Sequence, residues 1–254
     1  MNVLIECPQS RAGEWRFRLF GVPVAVKFWF WVAAVLLCNA GETSTVLIWI
    51  AVCLASILVH ELGHVYAYRH FGDDAQIVLY GWGGLTIPRH DTRGTFQAVA
   101  VALAGPAAGF AVVVVTVGLA VASGTSIRLG WHLFFPVLQA AASAGARITD
   151  FRWLALLNDL LWVNLYWGLV NLLPIYPFDG WHVARALLDD REYGGGRRKA
   201  LIWSAVAAAL MAVLGLIARN LYMVAIFAVL AASSAQAVEG ERGRSARFHG
   251  RWRG

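Results

Sequence analysis

Long apolar runs alternate with short polar segments along this chain, and the length of each run is the first structural signal. A membrane span needs about 20 predominantly apolar residues. Six stretches approach or exceed that length: 22–40, 45–70, 95–122, 153–174, 200–218 and 220–238. The last two are joined tightly near Arg219-Asn220. The pattern predicts an all-α polytopic membrane protein with about six transmembrane helices. One segment departs from it. In 75–88, Gln76-Ile77-Val78-Leu79-Tyr80 is followed by Gly81-Trp82-Gly83-Gly84 and then by Leu85-Thr86-Ile87. Branched and aromatic residues on either side of a glycine cluster predict strand, turn, strand. A short membrane-associated β-hairpin is therefore expected after the second span. Residues 125–149, with Trp131, Phe134 and Phe135, are expected to form an interfacial helix. Residues 239–254 are rich in Gly and Arg and are expected to be a disordered basic tail, leaving 1–238 as a single membrane domain.

Composition agrees with the pattern. The chain has 254 residues, of which 59% are hydrophobic and 14% charged, and its mean hydropathy is +0.60. A soluble domain is nearer half apolar and a quarter charged. The net charge of +6 does not point to a nucleic-acid partner, because the basic residues lie between spans and at the termini. With the N-terminus placed in the cytoplasm, all but four of the 21 Lys and Arg fall on the inner side. The exceptions are Arg128, Arg147, Arg152 and Arg219. That asymmetry predicts a multi-pass protein of the cell membrane with both termini cytoplasmic. The opening residues do not read as a cleavable signal, since positions 6 to 18 are polar and charged. Cys7, Cys38 and Cys53 are scattered and odd in number, so no disulfide framework is indicated.

The second run carries the chemistry. It contains His60-Glu61-Leu62-Gly63-His64. Two His four residues apart lie on one helix face, about 6 Å apart along the axis. This is the ligand spacing of a zinc hydrolase, with the intervening Glu as general base. Ionisable groups at membrane depth are costly and usually functional. In the predicted orientation the second span runs outside to inside, so His60 and His64 lie in its inner half. His70 lies about 15 Å further along.

A catalytic zinc takes three protein ligands and leaves one position open. The fourth run ends inside with Asn171-Leu172-Leu173-Pro174-Ile175-Tyr176-Pro177-Phe178-Asp179-Gly180. Two prolines stop the helix there, which lets Asp179 turn back into the bundle as the third ligand. Asp159 is the rival carboxylate, but it lies near the outer end of the same run. Twenty residues of helix is about 30 Å, so both cannot reach one metal. No Glu competes: Glu192 is in a charged loop, and Glu239 and Glu241 are in the tail.

H-E-x-x-H in one span, followed by N-x-x-P-x-x-x-x-D-G at the end of a later one, resembles the site-2 protease family of intramembrane zinc metalloproteases, peptidase family M50. Gly105-Pro106-Ala107-Ala108-Gly109 looks like the family's G-x-x-x-(N/S/G) motif. Phe20-Gly21-Val22-Pro23-Val24 resembles its compact bacterial and archaeal branch, which has no PDZ or CBS module. The resemblance covers most of residues 20 to 190 and places the catalytic core at about 45–190. It implies one zinc per chain held by His60, His64 and Asp179, with Glu61 as catalyst and Asn171 orienting substrate. Phe178 stands where Leu is usual and Trp181 where Gly is common. The implied partners are a transmembrane protein substrate and the lipid bilayer, and a homo-oligomer is compatible with both. The competing reading is a non-proteolytic transporter or binding scaffold with a degenerate metal site. Intact His60, Glu61, His64 and Asp179 argue against it, as does the lack of a second set of intramembrane charges for an ion path.

Overall fold

The computed structural model describes residues 13–38, 42–81, 83–90, 92, 94–132, 135–143, 147–148, 150–191 and 196–250. Cys7, Arg11, Trp82, Arg93, Phe134, Glu192, Arg251 and Arg253 lie outside them.

Two strands open the described chain, β1 (Glu14–Leu19) and β2 (Val22–Lys27). Phe20 and Gly21 join them in a two-residue turn, both with positive φ, 50° and 76°. Such turns match the twist of the flanking strands. A short helix α1 (Phe28–Leu36) follows, then the long α2 (Thr43–His70). The expected hairpin is present as β3 (Ala75–Tyr80) and β4 (Gly83–Pro88). Next come α3 (Thr95–Ala122), β5 (Ser126–His132) and β6 (Phe135–Ala141). Helix α4 (Phe151–Leu161) passes through a π-helical turn, Trp162–Tyr166, into α5 (Trp167–Asn171). Helices α6 (Asp179–Arg191), α7 (Gly196–Ile217) and α8 (Leu221–Gly250) complete the fold.

Among the described residues, five helical segments are long and apolar enough to cross a membrane: Thr43–His70, Thr95–Ala122, Phe151–Asn171, Gly196–Ile217 and Leu221–Glu241. The sixth expected span, 22–40, is not a continuous helix. Its first half is β2, and α1 covers only about 14 Å. Val22, Val24 and Val26 put β-branched side chains on one face, which favours strand over helix. The segment still runs beside α2 in the opposite sense. Arg69, in the last turn of α2, donates to the Phe20 carbonyl, and the Trp49 indole, near the start of that helix, donates to the Ala34 carbonyl.

The four strands form one sheet in the order β1-β2-β3-β4, with β2 parallel to β3 and the other pairs antiparallel. Val22, Val24, Val26, Ala75, Ile77 and Leu79 pack against Leu58, Leu62 and Val65 of α2. The sheet thus lies at the depth of the His60–His64 turn. Strand β3 is internal, so β4 is the free edge on that side. Lipid supplies no hydrophobic force between helices, and close packing of small residues takes its place. A Cβ on Gly63 would lie 2.5 Å from the Ala104 carbonyl oxygen, so this glycine sets the approach of α2 to α3.

Two further expectations are corrected. The interfacial helix over 125–149 is instead the β5–β6 hairpin, which packs through Ile127, Leu138 and Ala140 on Leu157 and Leu161 of α4. The side chain of Asn158 bonds both the amide and the carbonyl of Ala140, standing in for one further strand residue. The expected disordered tail is helical through Gly250 as the end of α8, where Arg197 of α7 pairs with Glu241 at 2.9 Å.

Candidate metal centre

Helix α2 presents His60 and His64 one turn apart on one face. The Nδ1 of His64 donates to the Val101 carbonyl at 2.7 Å. A backbone partner on one ring nitrogen sets the tautomer and leaves Nε2 free as a ligand. Val101 lies on α3, one turn and a half before Pro106, the proline inside that helix.

Asp179 reaches the same place from the other end of the chain. Helix α5 ends at Asn171, and the Pro-containing turn brings α6 back with Asp179 as its first residue. A Cβ on Gly180 would overlap the carbonyls of Leu172 and Leu173, so the turn closes only with glycine there. Ile175 and Trp181 are buried on either side and fasten the turn.

The three donor groups converge. His60 Nε2 lies 3.0 Å from Asp179 Oδ2 and 3.2 Å from His64 Nε2, and His64 Nε2 lies 3.3 Å from Asp179 Oδ1. For zinc bonds of 2.0–2.1 Å, two ligand atoms of a tetrahedral site stand about 3.3 Å apart. The spacing and the His, His, carboxylate donor set fit one zinc ion. Among the described residues this is the one group of three or more His, Cys, Asp or Glu side chains close enough to share a metal. Asp159 is not part of it. It lines a cavity of about 410 Å³ with Asn158, Gln139 and Trp162 beside the β5–β6 hairpin.

Asn171 donates from Nδ2 to Asp179 Oδ2 and lies 3.2 Å from His60 Nε2. The structure therefore places this amide on two of the three candidate ligands. Gly105 faces the centre directly. A Cβ there would overlap His64 Nε2 and come within 2.7 Å of His60 Nε2. Gly105 and Gly63 thus both serve the close approach of α2 and α3, Gly105 at the two imidazoles and Gly63 at the Ala104 carbonyl. Gly105→Ala is accordingly expected to lower zinc retention at least tenfold, an effect of about the size seen when a ligand's supporting group is lost. Zinc per chain after dialysis against graded chelator, beside a circular-dichroism check of helix content, measures this. Full retention would mean that the imidazoles yield to the added methyl.

The Glu61 carboxyl group meets the edge of the sheet, and the residue is 5% exposed. Its Oε2 accepts a 2.6 Å hydrogen bond from the hydroxyl of Thr86 on β4. A Cβ on Gly84 would overlap the Glu61 carboxyl group. Neither Thr86 nor Gly84 was singled out from sequence, where they read as part of a hairpin. The available signal was a glycine-rich strand with one hydroxyl residue following an H-E-x-x-H helix. Further along α2, buried Ser56 accepts from the Asn164 amide in the π-helical turn at 2.8 Å. π-Turns often mark functional stretches of helix.

Known proteins share this architecture. The chain is 32% identical over 136 residues to the putative zinc metalloprotease Rip3 of Mycobacterium tuberculosis, covering 53% of this chain and 29% of that protein. It is 30% identical over 185 residues to the putative zinc metalloprotease sll0528 of Synechocystis, covering 67% and 42%. It is 24% identical over 183 residues to the zinc metalloprotease MJ0392 of Methanocaldococcus jannaschii, covering 70% and 46%. The chain thus spans less than half the length of the curated relatives it matches. The solved site-2 protease from Methanocaldococcus jannaschii has a similar fold, with a TM-score of 0.55 and 21% identity over 89% of this chain and 95% of that one. Residues 48–214 match the sequence profile of peptidase family M50 and take in every ligand candidate. The chain belongs to peptidase family M50.

Proposed function

We propose that the protein is an intramembrane zinc endopeptidase that cleaves membrane-spanning proteins within or near their transmembrane segments, as in regulated intramembrane proteolysis. The observation that carries this reading is the meeting at one point of His60 and His64, on a helix of membrane length, with Asp179 at the start of α6, Glu61 being the next residue after His60.

Zinc, when bound, acidifies water and polarises a carbonyl as a Lewis acid. The residues of the chain do the rest. Glu61 takes the proton of the attacking water and delivers it to the leaving amide nitrogen. With Oε2 engaged by Thr86, Oε1 is the oxygen left to accept that proton, as it has no hydrogen-bond partner among the described residues. Asn171 holds Asp179 by its amide. The roles of His60, His64 and Asp179 as ligands, Glu61 as catalyst and Asn171 as a substrate contact all belong to this proposal.

A transmembrane helix hides its peptide bonds, so a substrate must unwind before it is cut, and its freed backbone groups then need partners where water is scarce. Strand β4 supplies such partners. The Arg89 amide donates to the Asp74 carbonyl, and in the β3–β4 register this turns the backbone groups of every second residue toward β3. Those of Gly84 and Thr86 face outward, free to pair with an added strand.

The basic residues support a cytoplasmic N- and C-terminus, with the active site nearer the cytoplasmic side. In this reading β2 and α1 together make the first traverse. No nucleic acid is involved, and a homo-oligomer fits the same picture.

The test is cleavage in proteoliposomes loaded with zinc. A designed single-span substrate with Asn-Gly-Pro placed in its inner half is expected to be cut there, and an all-leucine span to resist. Product masses locate the cut. Failure to cut any spanning substrate, with one zinc bound per chain, would sink the proposal.

A further inference from the structure

The contact between Thr86 and Glu61 joins the sheet edge to the candidate base across 25 residues of sequence. The Thr86 hydroxyl has one proton and two acceptors in reach, Glu61 Oε2 at 2.6 Å and the Glu61 carbonyl at 3.2 Å. The shorter contact has the length of a hydrogen bond from a hydroxyl to a carboxylate, about 2.5–2.7 Å, roughly twice as strong as a neutral one. The proton therefore goes to Oε2. Two residues earlier on the same strand face, Gly84 leaves the space that the carboxyl group fills. One strand face thus restrains the Glu61 side chain at two points, by a bond and by shape.

We propose that Thr86 is a positioning residue for Glu61 and that β4 couples substrate pairing to the placement of the base. This rests on the reading of Glu61 as general base. The outward backbone groups that would pair with an unwound substrate belong to Gly84 and Thr86, the two residues that hold Glu61. A peptide added to β4 is then registered against Glu61 through a single strand. Rigid placement matters here, because a misplacement of about 1 Å costs about a hundredfold in rate.

The experiment has two arms. In the first, zinc-loaded wild type, Thr86→Val and Thr86→Ser are compared in detergent with fluorescently labelled casein, an unstructured chain, as substrate. Valine keeps the shape of threonine and removes the hydroxyl. The expected result is a fall in kcat of about tenfold to a hundredfold for Thr86→Val. Its KM should stay within about twofold of wild type, its zinc at one per chain, and Thr86→Ser should recover most of the rate. Wild-type kcat in Thr86→Val overturns the proposal. So does a loss of zinc along with rate, or a serine variant no better than valine, since a purely structural threonine would behave that way.

The second arm needs no activity. Glu61→Cys and Thr86→Cys are combined in a chain whose three native cysteines are replaced by serine, and oxidation in native membranes is followed by a mobility shift after cleavage between the two positions. A crosslink is expected. Its absence overturns the proposed contact even if the wild type cleaves. A wild type that cuts no casein would count against the protease reading, while the crosslink would still decide whether β4 holds position 61.

Discussion

Replacing His60 or Asp179 by alanine is expected to empty the zinc site. The two residues come from α2 and α6, and their donor atoms stand 3.0 Å apart. Each would supply one of three protein ligands. Loss of a group that merely supports a ligand costs about 10–100-fold in metal affinity, and loss of a ligand costs more. Asp179→Ala carries a second penalty, because the amide of Asn171 then loses its acceptor in a part-buried site. Purified wild type should hold one zinc per chain by elemental analysis, and both variants should hold almost none. The metal also links to stability. At free zinc 100 times its dissociation constant, binding adds about 2.7 kcal/mol to the folded state. A chelator should therefore lower the melting temperature of the wild type and leave that of the variants unmoved. Zinc retained by Asp179→Ala would show that the α6 turn does not serve the metal. A well-folded wild type that stays bare after resupply would end the hydrolase reading.

Glu61→Gln is expected to separate binding from chemistry. Glutamine has the size of glutamate and keeps an acceptor for the Thr86 hydroxyl, so β4 can hold it as before. It cannot take a proton from water. General base catalysis contributes about 10²–10⁴-fold, and kcat should fall by about that amount while zinc stays at one per chain. A loss in kcat with KM unchanged marks an interaction used in the transition state. Glu61→Asp tests the geometry separately. One methylene shorter, it retains a carboxylate but retreats from Thr86, and an intermediate rate is expected. Unchanged cleavage by Glu61→Gln would remove Glu61 from the mechanism.

Much of the site was legible before any coordinates. The i, i+4 spacing of His60 and His64 survives because a helix with 3.6 residues per turn puts both on one face whatever surrounds it. The long apolar runs at 45–70, 95–122, 153–174, 200–218 and 220–238 became helices of membrane length, since only helices and closed barrels satisfy their own backbone in lipid. Branched and aromatic residues around a glycine cluster gave away the hairpin at 75–88. Where local pattern was ambiguous the reading failed. Residues 22–27 are apolar enough for a span, yet they form a strand because β3, some fifty residues on, is there to pair with them. The same holds for 126–141, where two short segments pair with each other rather than lie as a helix on the membrane.

What the chain determined by itself is therefore the chemistry of its local segments: which runs can cross a bilayer, which turn of helix can bind a metal, where a proline turn can redirect an acid. What only the tertiary structure decided is which distant groups meet. Asp179 joins His60 across 119 positions, Thr86 reaches Glu61 across 25, and Gly105 leaves room for two imidazoles on another helix. The physical reason is that periodicity acts over a few residues, whereas these contacts depend on how close two helices can approach and where a sheet edge comes to rest, and those are properties of the packed whole.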